Sequence, residues 1–295
     1  MSAIIEVNHV TVRYGGKPAV DDVTFAVPQG SVLALLGRNG AGKSSLVRCL
    51  LGQQKTSSGE VLLFDRDVWQ DRARLMERVG VVSEEADAPP EMTVEAIARF
   101  CSRLYARWDQ AGVEARLKRF GIAPATRFGA LSKGQKKQVS LTLALAISPD
   151  LLVLDDPTLG LDVVARKAFF EEVITELADR GITVLLTTHD LAGVETIADR
   201  VAVLRDGVLV LDEELEPLKA RFRRIRFAAQ PRALESSPLR TATVRRWGNG
   251  AEAVVTNYED LEFERFQASL GAGAEVAPMS LEEIFIAVAG EEPQS

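Results

Sequence analysis

The stretch Gly37-Arg38-Asn39-Gly40-Ala41-Gly42-Lys43-Ser44 constrains this chain more than any other. It lies between an apolar run, Val32 to Leu36, and a helix-like stretch, Ser45 to Leu51, and it satisfies G-x-x-x-x-G-K-[ST] at every fixed position. Glycines let backbone N–H groups close around phosphate oxygens, a lysine neutralises β/γ charge, and a serine hydroxyl at a helix N-terminus can hold Mg²⁺. We read Gly37 to Ser45 as a nucleotide phosphate cradle, with Ser44 as a metal ligand. The competing reading is a tight glycine turn that binds nothing.

A chain of 295 residues, 46% of them hydrophobic, has room for one large domain plus a small one. Its formal net charge of −7 argues against a general nucleic-acid binder, which needs clustered positive surface, so no nucleic-acid partner is expected. Cys49 and Cys101 sit inside apolar helical patterns rather than a ligand spacing, which predicts buried, reduced thiols in a cytoplasmic protein. Ile4-Ile5-Glu6-Val7 reads as a strand, so no secretory signal is expected. The uncharged stretch from Val23 toward Gly37 is broken by Pro28, Gln29 and Gly30 and falls short of ~20 consecutive apolar residues. Any membrane role must therefore run through a partner.

Along the chain, Ile4 to Tyr14, Val20 to Val27 and Val32 to Leu36 read as short strands separated by glycine- and proline-rich turns. Tyr14 stands at the first turn, where an aromatic can stack on a purine or pack as a strand end. Glu60 to Phe64 reads as a further strand; apolar spacing then predicts helices over Thr93 to Tyr105 and around Val113, Leu117 and Phe120. Ser132 is a candidate N-cap for a helix running to Ala146, with amides around Gly134 forming a second anion site or simply a capped helix. Leu151-Leu152-Val153-Leu154-Asp155-Asp156 suits a buried parallel strand that delivers two acids to its C-terminal end. Asp155 can hold Mg²⁺ through water, and Asp156 can orient or deprotonate a water; the alternative is an Asp-Asp-Pro turn. A helix over Val163 to Leu177 and a strand over Ile182 to Thr188 follow. The strand stops at His189, which either reaches a γ-phosphate or is structural.

A phosphate loop, a helical insertion, Leu131-Ser132-Lys133-Gly134-Gln135, then L-L-V-L-D-D, then T-T-H-D in that order resembles the nucleotide-binding subunit of ATP-binding cassette (ABC) transporters. The resemblance spans roughly residues 1 to 215. It implies an α/β P-loop fold whose mixed sheet core carries an antiparallel β subdomain and a helical insertion, here about residues 86–148. Gly37 to Ser44 matches the Walker A loop, Leu131 to Gln135 the signature, Asp155 the Walker B aspartate, Leu159 to Asp162 the D-loop, His189 the switch histidine and Tyr14 the adenine-stacking position. The family implies ATP and Mg²⁺ as ligands, and a two-chain mechanism. Ser132 and Gly134 of one subunit would meet the γ-phosphate in the ATP site of a second nucleotide-binding subunit, either another copy or a sister chain; Lys133, Gln135 and Asp162 are counted with them as nucleotide-binding residues. The pair would dock on a separate transmembrane permease subunit at the cytoplasmic face of the membrane.

Three departures bear on function. Asp156 stands where the family usually has glutamate, one methylene longer, and a misplacement of ~1 Å can cost ~10²-fold in rate, so either hydrolysis is slow or a water bridge or a shifted backbone compensates. Glu84 takes the usual position of the Q-loop glutamine; it keeps the reach for Mg²⁺ and adds negative charge beside the γ-phosphate. With Glu85, Asp87 and Glu91 it forms an acidic run that suits a basic segment of the membrane subunit or is a solvated loop. Lys133 replaces the signature's first glycine.

Beyond the cassette, residues 221–295 read as a small α+β extension. Arg221 to Phe227 is a basic patch or a strand with one solvated face; Thr241 to Trp247 and Ala251 to Thr256 read as a hairpin; and Ser280-Leu281-Glu282-Glu283 opens a capped helix. This tail resembles those of cassettes that energise exporters. The expected activity is thus a Mg²⁺-dependent ATPase powering export, with Asp156, His189 and Glu84 catalytic. The rivals are an ATP-dependent switch that barely hydrolyses and a soluble ABC ATPase acting on ribosomes or DNA.

Overall fold

The computed structural model describes residues 3–85, 87–188, 191–228, 234, 237–270 and 273–290. Two compact units emerge, Met1–Leu209 and Val210–Ser295.

The first unit begins with β1 (Ala3–Tyr14) and β2 (Lys17–Pro28), an antiparallel pair turning at Gly15-Gly16, where both residues have positive φ. β3 (Val32–Gly37) leads through the phosphate loop into α1 (Lys43–Leu50), followed by β4 (Ser58–Leu63), β5 (Arg66–Asp67), α2 (Val68–Met76) and β6 (Val79–Val82). The helical stretch comprises α3 (Val94–Ser102), α4 (Gln110–Arg119) and α5 (Lys133–Ala146). Then come β7 (Leu151–Asp155), α6 (Val163–Arg180), β8 (Thr183–Thr187), α7 (Leu191–Val194) and β9 (Arg200–Arg205). β10 (Val208–Glu214) contains the division between the units.

One sheet has the order β2-β1-β4-β5 and the other β10-β9-β3-β8-β7-β6. In the second, β9, β3, β8, β7 and β6 are all parallel, and β3 and β8 are buried at every residue. Strands covered on both faces must be apolar throughout, which is why Val32 to Leu36 and Leu151 to Leu154 read as unbroken apolar runs. One core fills the space between α1 and the two sheets around Ile5, Leu35, Leu46 and Leu63. A second, around Ile97, Val113, Leu117, Phe128 and Val139, belongs to the helical stretch.

Cys49 is buried, and burial pushes its thiol up to about 11. Cys101 is only half-buried, contrary to expectation, because α3 turns Phe100 outward beside it and the helix ends at Ser102.

The second unit continues with α8 (Leu215–Arg221), β11 (Arg223–Phe227), β12 (Thr241–Trp247), β13 (Gly250–Val255), α9 (Asp260–Leu270), β14 (Ala274–Pro278) and α10 (Leu281–Ala289). Its sheet, in the order β12-β13-β11-β14, packs Ile225, Phe227, Val255, Phe263 and Phe266 into one core. The basic run is a strand here: Ile225 and Phe227 point inward, while Arg226 and Arg245 hold the buried Glu252 and Arg224 pairs with Glu283.

Candidate functional site

The parallel strands end on one side of their sheet, where α/β folds gather ligands. Leu35 and Asp155 both stand opposite Thr187, so the phosphate loop and the Asp155-Asp156 pair leave the sheet at nearly the same level. Two of the loop's glycines cannot be replaced without strain. Gly42 sits at φ +105, and a Cβ on it would meet the Ala19 carbonyl at 2.3 Å; Gly40 also has positive φ. Ala41 N–H donates to Arg38 O at 3.0 Å, closing the turn.

Ala19, Asn39, Gly40, Ala41, Gly42, Lys43, Ser44, Ser45, Glu84 and Asp156 line a cavity of about 330 Å³. It therefore joins the loop to the exits of β6 and β7. Lys43 is buried, and its ammonium donates to Gly37 O at 2.6 Å and Arg38 O at 3.3 Å. Burial pushes its pKa below the ordinary lysine value, against the opposing pull of Asp156, Asp155 and Glu84. Asp155 Oδ1 accepts a hydrogen bond from the Thr187 hydroxyl. Asp156 is 8% exposed and adopts φ +42, a left-handed conformation that aspartate tolerates better than most residues. Its N–H donates to Thr187 O at 2.9 Å.

Tyr14 is half-exposed at the end of β1, and its hydroxyl bonds Gln54 and, at 3.3 Å, Ser45 Oγ. The ring is thereby anchored to the start of α1 while about half of the residue stays exposed. Ser132 caps α5: Gln135 N–H donates to its hydroxyl at 3.2 Å, while the Gln135 side chain accepts from Ser132 N–H at 3.1 Å. Asp162 caps α6 by accepting from Ala165 N–H at 2.8 Å. None of Tyr14, Gly37, Arg38, Asp155, Ser132, Lys133, Gly134, Gln135 or Asp162 is among the residues that line this cavity, although Asp155 directly precedes Asp156. His189 lies outside the described residues.

Two further residues belong to this neighbourhood. Thr187 joins both aspartates, and Lys137, buried on α5, donates to Ser83 O at 2.6 Å and Asp156 O at 3.2 Å. In the sequence Lys137 is only a member of a helical run, and its partners are backbone carbonyls, which leave no motif.

A family model described as ABC transporter matches residues 20–159. The chain is 33% identical over 305 residues to the Nod factor export ATP-binding protein I of Rhizobium meliloti, covering 98% of this chain and 88% of that one. The chain belongs to the ATP-binding subunits of ABC transporters. It is also 29% identical to the bacitracin transport ATP-binding protein of Bacillus licheniformis, over 76% of this chain and 74% of that one. A fluoroquinolones export ATP-binding protein of Mycobacterium tuberculosis is 36% identical over 75% of this chain and 74% of its own. Among solved structures, an ATP-binding subunit of an ABC transporter superposes with a TM-score of 0.68 at 27% identity, over 74% of this chain and 92% of that one. A nucleotide-free ATP-binding cassette gives 0.62 at 26% identity, over 74% and 94%. These matches establish the α/β ABC ATPase fold and ATP binding by this subunit. Among its described residues no helix is long and apolar enough to cross a membrane.

Proposed function

We propose that this ABC subunit hydrolyses ATP with Mg²⁺ and powers a separate membrane subunit that exports its substrate. The observation that carries the reading is the single cavity shared by Lys43, Ser44, Glu84 and Asp156. The loop amides take up the phosphates, and the Lys43 ammonium exchanges the Gly37 and Arg38 carbonyls for phosphate oxygens. Ser44, Glu84 and Asp155 offer oxygen donors only, which suits Mg²⁺, an ion that commonly fills the rest of its shell with phosphate and water. Bound there, Mg²⁺ would neutralise charge developing on the transferred phosphate. Asp156 holds the attacking water and accepts its proton. Tyr14 offers its flank to the base, and His189 is assigned to the γ-phosphate from the sequence.

The signature residues lie outside their own chain's cavity, and the family's two-chain mechanism assigns them to the site of a second chain. Leu159, Val163 and Val164 flank the Asp162 cap and are exposed, the two valines at 77% and 78%, which supplies apolar surface for such a partner. The exposed acidic run Glu84, Glu85, Asp87 and Glu91 offers a face to a basic segment of the membrane subunit. Export is the direction that the names of the Nod factor and fluoroquinolone relatives carry. Mild-detergent extraction from the producing cell tests the assembly. The chain should be recovered from the membrane fraction together with a polytopic membrane protein and Mg²⁺-dependent ATP turnover. Recovery from the soluble fraction alone, or turnover unchanged by chelation, contradicts the proposal.

A further inference from the structure

Lys137 stands two residues beyond the signature segment, on the inward face of α5, and is 4% exposed. Its ammonium joins two loops. Ser83 O, at 2.6 Å, belongs to the residue before Glu84, and Asp156 O, at 3.2 Å, to the candidate base itself. We propose that Lys137 is a positioning residue that fixes Glu84 and Asp156 across the nucleotide cavity and ties both to the signature helix; this rests on the ATPase reading above.

A non-glycine residue in left-handed backbone persists only where its surroundings hold it. At Asp156 the N–H is held by Thr187 and the carbonyl by Lys137. A charged donor makes the stronger bond, and in a buried place its loss leaves the carbonyl without that partner. Charge also favours lysine here. Burial pushes its ammonium toward the neutral form, but Asp155, Asp156, Glu84 and Glu85 oppose that pressure. The same cation offsets the negative charge that Glu84 brings to a position the family usually fills with glutamine. Because α5 opens at Ser132, a shift of the signature segment on meeting a partner's nucleotide is passed through one turn of helix to both loops.

The test uses the full chain with Lys137→Met, which keeps the stem and removes the donor, and Lys137→Arg, which keeps the charge. The first readout, without nucleotide, is amide hydrogen exchange. In Lys137→Met, exchange over residues 82–85 and 155–158 should accelerate at least tenfold while the β1–β2 pair stays protected. The second is kinetic: kcat should fall at least tenfold with less than a threefold change in Kd for a fluorescent ATP analogue, and Lys137→Arg should restore part of the rate. Unchanged exchange at the two loops overturns the proposal, as does an even acceleration across the whole unit with a matching loss of ATP binding. If the wild-type chain turns over no faster than Lys43→Ala, the ATPase reading fails instead, and the exchange result alone decides Lys137.

Discussion

Asp156 joins two properties with opposite consequences. Its left-handed backbone, φ +42, favours a short polar side chain, while the chemistry asked of it favours a longer reach. Asp156→Asn should retain ATP binding and lose about 10²–10⁴-fold in turnover, since an amide cannot accept the proton. Asp156→Glu should raise turnover, by up to about 10²-fold where one methylene closes a gap of ~1 Å, and steady-state kinetics beside a binding titration separates the two effects. At this scale the sequence is uneven in what it discloses. Gly37 to Ser44 could be read because its chemistry requires fixed spacing and residues that no other fold position demands together. Lys137 could not, because a lysine in the second turn of a helix usually faces solvent and nothing local says that Ser83 O and Asp156 O lie beneath it. Tyr14 was legible as an aromatic at a turn, but its anchor on Gln54 was not.

Caps and apolar runs made most elements legible. Ser132 and Ser280 each close a reciprocal capping box, and the buried parallel strands announce themselves as runs without polar breaks. α3 stops at Ser102, short of the expected Tyr105, because Arg103 and Leu104 turn their N–H groups to Phe100 O and Cys101 O in a tightened last turn. α9 left too small a signal: of its residues only Phe263 and Phe266 are buried. A charge network joining two elements left none. Arg116 of α4 pairs with Glu172, 2.7 Å from its Nε, and with Glu176 of α6; Arg119 and Arg180 complete the cluster. Arg116, Glu172 and Glu176 are all buried, so removing one partner leaves charge in a low-dielectric place. Arg116→Met should cost about 3 kcal/mol in a urea unfolding titration. Lys167→Ala, which removes an exposed pair with Glu171, should cost under about 0.5 kcal/mol. Equal losses would show that burial does not set the value of the α4–α6 network.

At the scale of the whole molecule, the order of motifs carried more than any one of them. A lone glycine loop, a lone capped helix and a lone Asp-Asp turn each admit a bland explanation, whereas their succession resembles one family, and a match over nearly the whole chain establishes it. The resemblance also implies that Glu84 and Asp156 meet at the phosphates and that the signature residues serve a second chain; the cavity lining, with Glu84 and Asp156 in it and Ser132 to Gln135 out of it, agrees with that proposal. What the order of motifs left unread is the pair of carbonyls that Lys137 holds. The most direct test is Mg²⁺-dependent ATP turnover by the purified full chain over a concentration series, with Lys43→Ala as the blank. The account predicts a rate per chain that rises with concentration to a plateau and is absent from the mutant. A rate per chain independent of concentration down to the nanomolar range, in a species that sediments as a monomer with ATP bound, would contradict it.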